Sequence, residues 1–172
     1  VQTYMYPYNG DWYYLDGAYV AANRSAKYQI SKYNYASQTT TCLYGPAYAK
    51  WTTADNGVWP AYFGRMAARN GVIYFSTPTT IEQYSISTGT TKTIFTLPSD
   101  TAKGTYIYGL GFIDGDLCYV TADTANYKGQ ETYNKVNLCT SHVYGAVQTI
   151  NPTYEQAGKK YHVCKTCGYS ED

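Results

Sequence analysis

Three short stretches of the chain share one arrangement of polar and apolar positions. Asn9-Gly10 precedes Asp11-Trp12-Tyr13-Tyr14, Asn70-Gly71 precedes Val72-Ile73-Tyr74-Phe75, and Asp114-Gly115 precedes Asp116-Leu117-Cys118-Tyr119. Asn-Gly and Asp-Gly tolerate positive φ at both centres of a type I′ turn, so each stretch predicts a β-hairpin. Met5 and Met66 fall at the same offset before the first two turns. In the strand after each turn neither face is clearly polar. Trp12 and Tyr14, Ile73 and Phe75, Leu117 and Tyr119 point one way, while Tyr13, Tyr74 and Cys118 point the other. Such a strand needs cover on both faces of its sheet.

The likeness continues downstream. Ile30-Ser-Lys-Tyr33-Asn-Tyr35, Ile81-Glu-Gln-Tyr84-Ser-Ile86 and Tyr133-Asn-Lys-Val136-Asn-Leu138 carry apolar residues at offsets 0, 3 and 5, the last two on one strand face. In the first two copies a polar turn and a further β-rich run follow, Thr39 to Tyr44 and Thr91 to Leu97. The unit is therefore four strands joined by short turns, and units packed between neighbours describe propeller blades. The turns begin at residues 9, 70 and 114, and the longer first interval predicts an insertion at about 45–69, with Trp51, Trp59, Pro60, Tyr62 and Gly64. Three blades do not close a ring, which takes about four to eight. The region 1–138 is thus expected to be part of a longer propeller, to be completed by another chain, or to form an open sandwich.

The pattern in Asn70-Gly-Val-Ile-Tyr-Phe and in Ile81 to Leu97 resembles the secreted bacterial β-propeller repeats related to the low-density-lipoprotein-receptor type of propeller, over about residues 4 to 138. Locally, Gly10-Asp-Trp-Tyr-Tyr-Leu-Asp-Gly17 resembles the aromatic repeat of cell-wall-binding modules for choline or glucan. Those modules recur about every 20 residues, and here the motif occurs once.

After Leu138 the character changes. Cys139-Thr-Ser-His142 and Cys164-Lys-Thr-Cys167 are two ligand pairs of the CxxH and CxxC type. Zinc takes four N or S ligands in a tetrahedron, and a pair two residues apart lets one turn present both. Gly168 lets backbone N–H groups turn towards the thiolates. Cys139, His142, Cys164 and Cys167 are the expected ligands, and a four-ligand site is closed, hence structural. The competing readings are a Cys139–Cys164 disulfide in an oxidising compartment and a redox dithiol, the latter lacking the βαβ setting such a motif uses. His162, in H-x-C spacing, reads as a strand residue. Residues 139–172 also resemble a repeat module of Gram-positive surface proteins, through Cys139-Thr-Ser-His142-Val-Tyr144, Pro152-Thr-Tyr154-Glu-Gln-Ala-Gly158-Lys-Lys-Tyr161 and Cys164-Lys-Thr-Cys167-Gly-Tyr169-Ser-Glu171. Tyr154 departs from it where many copies carry Cys.

Composition narrows the function classes. The 172 residues include 23 tyrosines and only 15% charged residues, with a net charge of +1. That balance gives no electrostatic footprint for nucleic acid or an anionic membrane, and no apolar run reaches the roughly 18 residues that would span a bilayer. Tyr, Thr, Ser, Asn and Gly disfavour long helices and suit strands and turns. The expected protein is all-β and secreted or at a cell surface, its signal peptide already removed or the chain an excised fragment. Catalytic motifs such as GxSxG, HExxH and phosphate-cradling loops are absent from the sequence. Asp114 and Asp116 read as turn residues, Glu82 and Glu131 as solvated, and Cys42 and Cys118 as buried free thiols. A Cys42–Cys118 disulfide requires Cα atoms within about 7 Å.

What remains is binding. The expectation is a non-catalytic extracellular interaction or adhesion module with a structural Zn2+, its partner an extracellular protein or glycan. The alternatives are an accessory carbohydrate-binding region of a hydrolase and a structural subunit self-associating through unclosed blades. Trp12, Trp51, Trp59 and Tyr62 are the candidate contact residues, since aromatics suit sugar rings and protein hot spots alike.

Overall fold

A computed structural model describes residues 4–20, 25–50, 65–77, 79–98, 105–123, 132–139, 141–165 and 170–171. Among them every regular element is a strand, arranged in four antiparallel sheets, none of them closed. The first sheet has the order β1 (Tyr4–Tyr8), β2 (Asp11–Val20), β3 (Ser25–Asn34) and β4 (Thr39–Lys50). The second repeats it with β5 (Met66–Arg69), β6 (Val72–Ser76), β7 (Thr80–Ser85) and β8 (Thr90–Thr96). Strands therefore enter the 45–69 span from both sides, and Trp51, Trp59 and Tyr62 lie outside the described residues.

The third sheet departs from the four-stranded unit. It contains β9 (Thr105–Ile113), β10 (Asp116–Asp123) and β11 (Thr132–Lys135), in the order β11-β10-β9. Where the first two units turn back into a fourth strand, this one runs on from Val136 into the Cys/His tail. The tail forms a small sheet of β12 (Gln148–Ile150), β13 (Lys159–Val163) and β14 (Ser170–Glu171).

The hairpin turns form as their dipeptides require. Asn9 and Gly10 have φ of 49° and 82°, Asn70 and Gly71 of 51° and 75°, and Asp114 and Asp116's neighbour Gly115 of 49° and 83°. Positive φ at both centres matches the right-handed twist of the flanking strands.

The three large sheets are stacked face to face, closest at their first strands. One cluster joins Tyr13, Leu15 and Ile30 of the first sheet to Met66, Ile73, Phe75 and Tyr84 of the second. Another joins Tyr74, Ile81 and Leu97 of the second to Ile107, Leu117, Tyr119 and Val136 of the third. The middle sheet is thus covered on both faces, and its second strand is apolar throughout for that reason. Ile81 and Tyr84, three residues apart on one strand, point to opposite faces and enter different clusters. Phe75 packs against Tyr28 and Tyr44 with ring centroids 5.8 and 5.6 Å apart, and Tyr74 meets Phe112 edge-on at 5.6 Å. Complete burial of such a ring contributes about 1.5–3 kcal/mol. Burial also raises the phenol pKa of Tyr13, Tyr84 and Tyr119. Tyr28 is pushed up to about 12, by burial first and then by Tyr44 and Glu82.

Each sheet grips the turn of the next. The Gly71 N–H donates to Tyr6 Oη at 3.1 Å, and the Tyr8 ring occupies the space where a Cβ on Gly71 would stand, 2.8 Å from the nearest atom. At the next step Arg69 donates to the Gly115 carbonyl at 2.6 Å with its guanidinium 4.1 Å from the Phe112 ring centroid. Arg65 does likewise to Tyr108, through a 2.6 Å bond to its carbonyl and a cation–π contact at 5.0 Å. Tyr8 and Arg69 each immediately precede a turn. Their equivalence was readable from the repeat, but the type of contact was not, because an aromatic ring and a guanidinium perform it differently.

Candidate metal centre and exposed aromatic face

The tail folds back on itself through two backbone hydrogen bonds, Gly145 N–H to the Val163 carbonyl at 2.9 Å and Lys165 N–H to the Val143 carbonyl at 2.8 Å. Together with the bridge between Tyr144 and Cys164 they lay the segment after His142 against the end of β13. This brings three of the four expected ligands together. Cys139 Sγ lies 3.2 Å from His142 Nδ1 and 4.0 Å from Cys164 Sγ. All three ligand atoms fall within 4.8 Å of one another. In a tetrahedral site with Zn–S of about 2.3 Å and Zn–N of about 2.0 Å, neighbouring ligand atoms stand about 3.5–3.8 Å apart. The donor set and its spacing fit a metal ion. Cys167, the expected fourth ligand, lies outside the described residues.

The surroundings divide the cluster into a dry and a wet side. Cys164 is buried, Cys139 half-buried and His142 exposed. Tyr144 stands between the two histidines, 5.7 Å from His142 and 5.9 Å from His162 by ring centroids. His162 faces the Gly145 carbonyl at 3.5 Å, a place in the strand frame. A cleft lined by Arg69, Asp116, Lys135, Leu138, Cys139 and His142 runs between the cluster and the third sheet. Cys139 follows Leu138, which packs against the cluster shared by the second and third sheets, so the ligand loop starts from an anchored point.

The other candidate residues separate. Trp12 is 42% exposed on the outer face of the first sheet, beside Met5 at 63% and Tyr35 at 73%. Pairing places Met5 opposite Tyr14, and Trp12 opposite both Pro7 and Tyr33, on that same face. Asp16, two residues beyond Tyr14 on the same strand face, is exposed as well. Cys42 and Cys118 are free thiols as expected, but not buried ones: Cys42 is exposed and Cys118 half-buried. Cys42 sits on the last strand of its sheet, where only one side is flanked, and Cys118 faces away from the second sheet. Glu82 is not simply solvated. It accepts hydrogen bonds from Thr80 at 2.7 Å and Thr93 at 2.8 Å and so ties β7 to β8. Asp114 occupies the turn, and Asp116 pairs with Lys135 as Asp11 pairs with Lys32 in the first sheet. That repeated ion pair was present in the sequence as equivalent positions and became visible only with the register.

A scan against protein-family models and a search of curated proteins return no match for this chain. Among the described residues no helix is long and apolar enough to cross a membrane.

Proposed function

We propose that the chain is a non-catalytic extracellular interaction module of a bacterial surface or secreted protein, built as a partial, propeller-like stack of blades followed by a zinc-ribbon-like tail. The observation that carries this reading is the exposed patch on the outer face of the first sheet formed by Met5, Trp12 and Tyr35. Rigid aromatics with a polar tip give contact area at little cost in side-chain freedom. The tail ion is Zn2+ held by Cys139, His142, Cys164 and Cys167, and it supplies cross-linking in place of a core. The resemblance of both regions to secreted bacterial repeats supports the location outside the cell.

Carbohydrate recognition is the second reading, favoured by the pairing of Trp12 with Tyr33 on an open face. A glycan array on the purified chain separates the two. A protein-contact face leaves the array silent, whereas a sugar-binding face gives a signal that Trp12→Ala removes. Turnover of a panel of glycoside, ester and peptide substrates by the purified chain would overturn the non-catalytic reading. Metal analysis is expected to return about one zinc per chain.

A further inference from the structure

Two of the clustered thiols stand close enough to react with each other. Cys139 Sγ and Cys164 Sγ are 4.0 Å apart, and a disulfide brings two sulfurs to about 2.05 Å, a gap that a change of χ1 covers. Contacts elsewhere in the protein hold the backbone that carries each of them. The Val136 N–H donates to the Leu117 carbonyl at 2.8 Å and Leu138 packs on the core between the second and third sheets, so Cys139 leaves an anchored segment. Cys164 lies between Val163, whose carbonyl accepts from the Gly145 N–H, and Lys165, whose N–H donates to the Val143 carbonyl. Neither anchor involves a ligand atom. The two thiols differ in access. Cys164 is 2% exposed, whereas Cys139 is half-buried and, with His142, lines the cleft beside Asp116 and Lys135. A small oxidant entering that cleft meets Cys139 and not Cys164.

We propose that Cys139 and Cys164 form a redox site: a hydroperoxide oxidises Cys139, Cys164 resolves the product, and the resulting disulfide replaces the metal ion as the cross-link of the tail. The inference rests on the zinc reading above and adds a second state of the same atoms. Coordination holds both sulfurs as thiolates, which is the form that reacts with peroxide. The Cys139 sulfur attacks one peroxide oxygen, the O–O bond breaks, and a sulfenic acid and hydroxide result. The Cys164 thiolate then attacks the Cys139 sulfur, the S–O bond breaks, and a second hydroxide leaves as the S–S bond forms. Two electrons pass from the pair of sulfurs to the peroxide. Zinc takes four ligands in a structural site, so loss of two releases it. The new bond spans the 25 positions from Cys139 to Cys164 and joins the two segments that the ion joined. The loop therefore stays closed in either state, and closing a loop is how a disulfide stabilises a short segment. A bond within the Cys164-Lys-Thr-Cys167 turn would tie that turn to itself and leave the Cys139 segment untethered.

Titration of the full-length, zinc-loaded chain with hydrogen peroxide tests this, on the wild type and on Cys42→Ser, which removes the exposed thiol of β4. A chromogenic zinc chelator should record loss of about one zinc per chain, in step with one new disulfide. Peptide mapping should place that bond between Cys139 and Cys164, and dimedone present during oxidation should label Cys139 alone. Hydrogen exchange in the tail should stay near its zinc-bound level, and reductant with added zinc should restore the starting state. The proposal is overturned by thiols and zinc that survive an excess of peroxide, by a bond mapped to Cys164 and Cys167 or between chains, by dimedone on Cys164, or by a tail that loses protection as the bond forms. A chain that takes up no zinc under reducing conditions overturns the zinc reading and the exchange together. Zinc that binds and resists peroxide overturns the exchange alone.

Discussion

The stacked sheets and the tail hold themselves together by different means. In the middle sheet Ile73, Tyr74 and Phe75 are successive residues and all are buried, because neighbours lie on both sides. In the tail, every described residue from Ala146 to Lys160 is exposed, and Cys164 is the buried one. A segment this short cannot bury enough surface to offset its chain entropy, and below about 40 residues metals or disulfides usually supply the deficit. On the proposed zinc reading, one chain uses apolar area where length permits and a metal cross-link where it does not.

On the proposed zinc reading, the largest effect comes from removing the metal. Chelation, or Cys164→Ser, should unfold residues 139–172 while leaving the large sheets intact, since a structural zinc is worth about 10–16 kcal/mol of apparent binding free energy at neutral pH. Hydrogen exchange read by mass spectrometry checks this, with loss of protection confined to the tail. Global loss would show that the regions are not energetically separate. Phe75→Ala is the reverse experiment. It should cost about 3–5 kcal/mol and lower the denaturation midpoint of the sheets with zinc content unchanged.

Alkali should distinguish the regions next. The folded state keeps Tyr13, Tyr28, Tyr84 and Tyr119 neutral above their ordinary value of 10.0. Unfolding therefore releases protons at high pH, and the contribution of these phenols is fully present below about pH 10. For Tyr28 it is lost as the pH rises towards about 12. Denaturation midpoints measured across that window should fall, in step with tyrosinate absorbance. The smallest effect belongs to Lys135→Ala. Its pair with Asp116 is largely solvent-exposed and worth about 0–1 kcal/mol, so thermal melts should barely move.

Local signals were the legible part of this fold. The three turn dipeptides announced their hairpins, and alternation assigned both faces of β6, because turn chemistry and strand period act over a few residues. Which faces stay covered was not legible. Trp12 and Ile73 occupy equivalent positions, yet Trp12 is 42% exposed whereas Ile73 is buried against the first sheet. Cys42 and Cys118 are less buried than expected because an apolar strand sequence reveals neither that Cys42 lies on an edge strand nor that Cys118 faces away from the second sheet. The grouping of Cys139, His142 and Cys164 was legible from spacing, as coordination imposes a short-range rule.

The irregularity in the outermost strands has a consequence for solubility. In the first sheet Tyr44 pairs with Ile30 and Cys42 with Ser31, leaving Leu43 as an extra residue; in the second, Phe95 pairs with Ile81 and Thr93 with Glu82, leaving Ile94. Both are bulges at the same place, and both extra side chains lean on the adjoining apolar cluster. A bulge bends an edge strand and interrupts its row of free N–H and C=O groups, which spoils it as a template for foreign strands. Threonine-rich edges such as Thr39–Thr41 and Thr90–Thr91 would otherwise invite fibrillar pairing. The repeat thus carries its own guard against aggregation, copied along with the strands it protects.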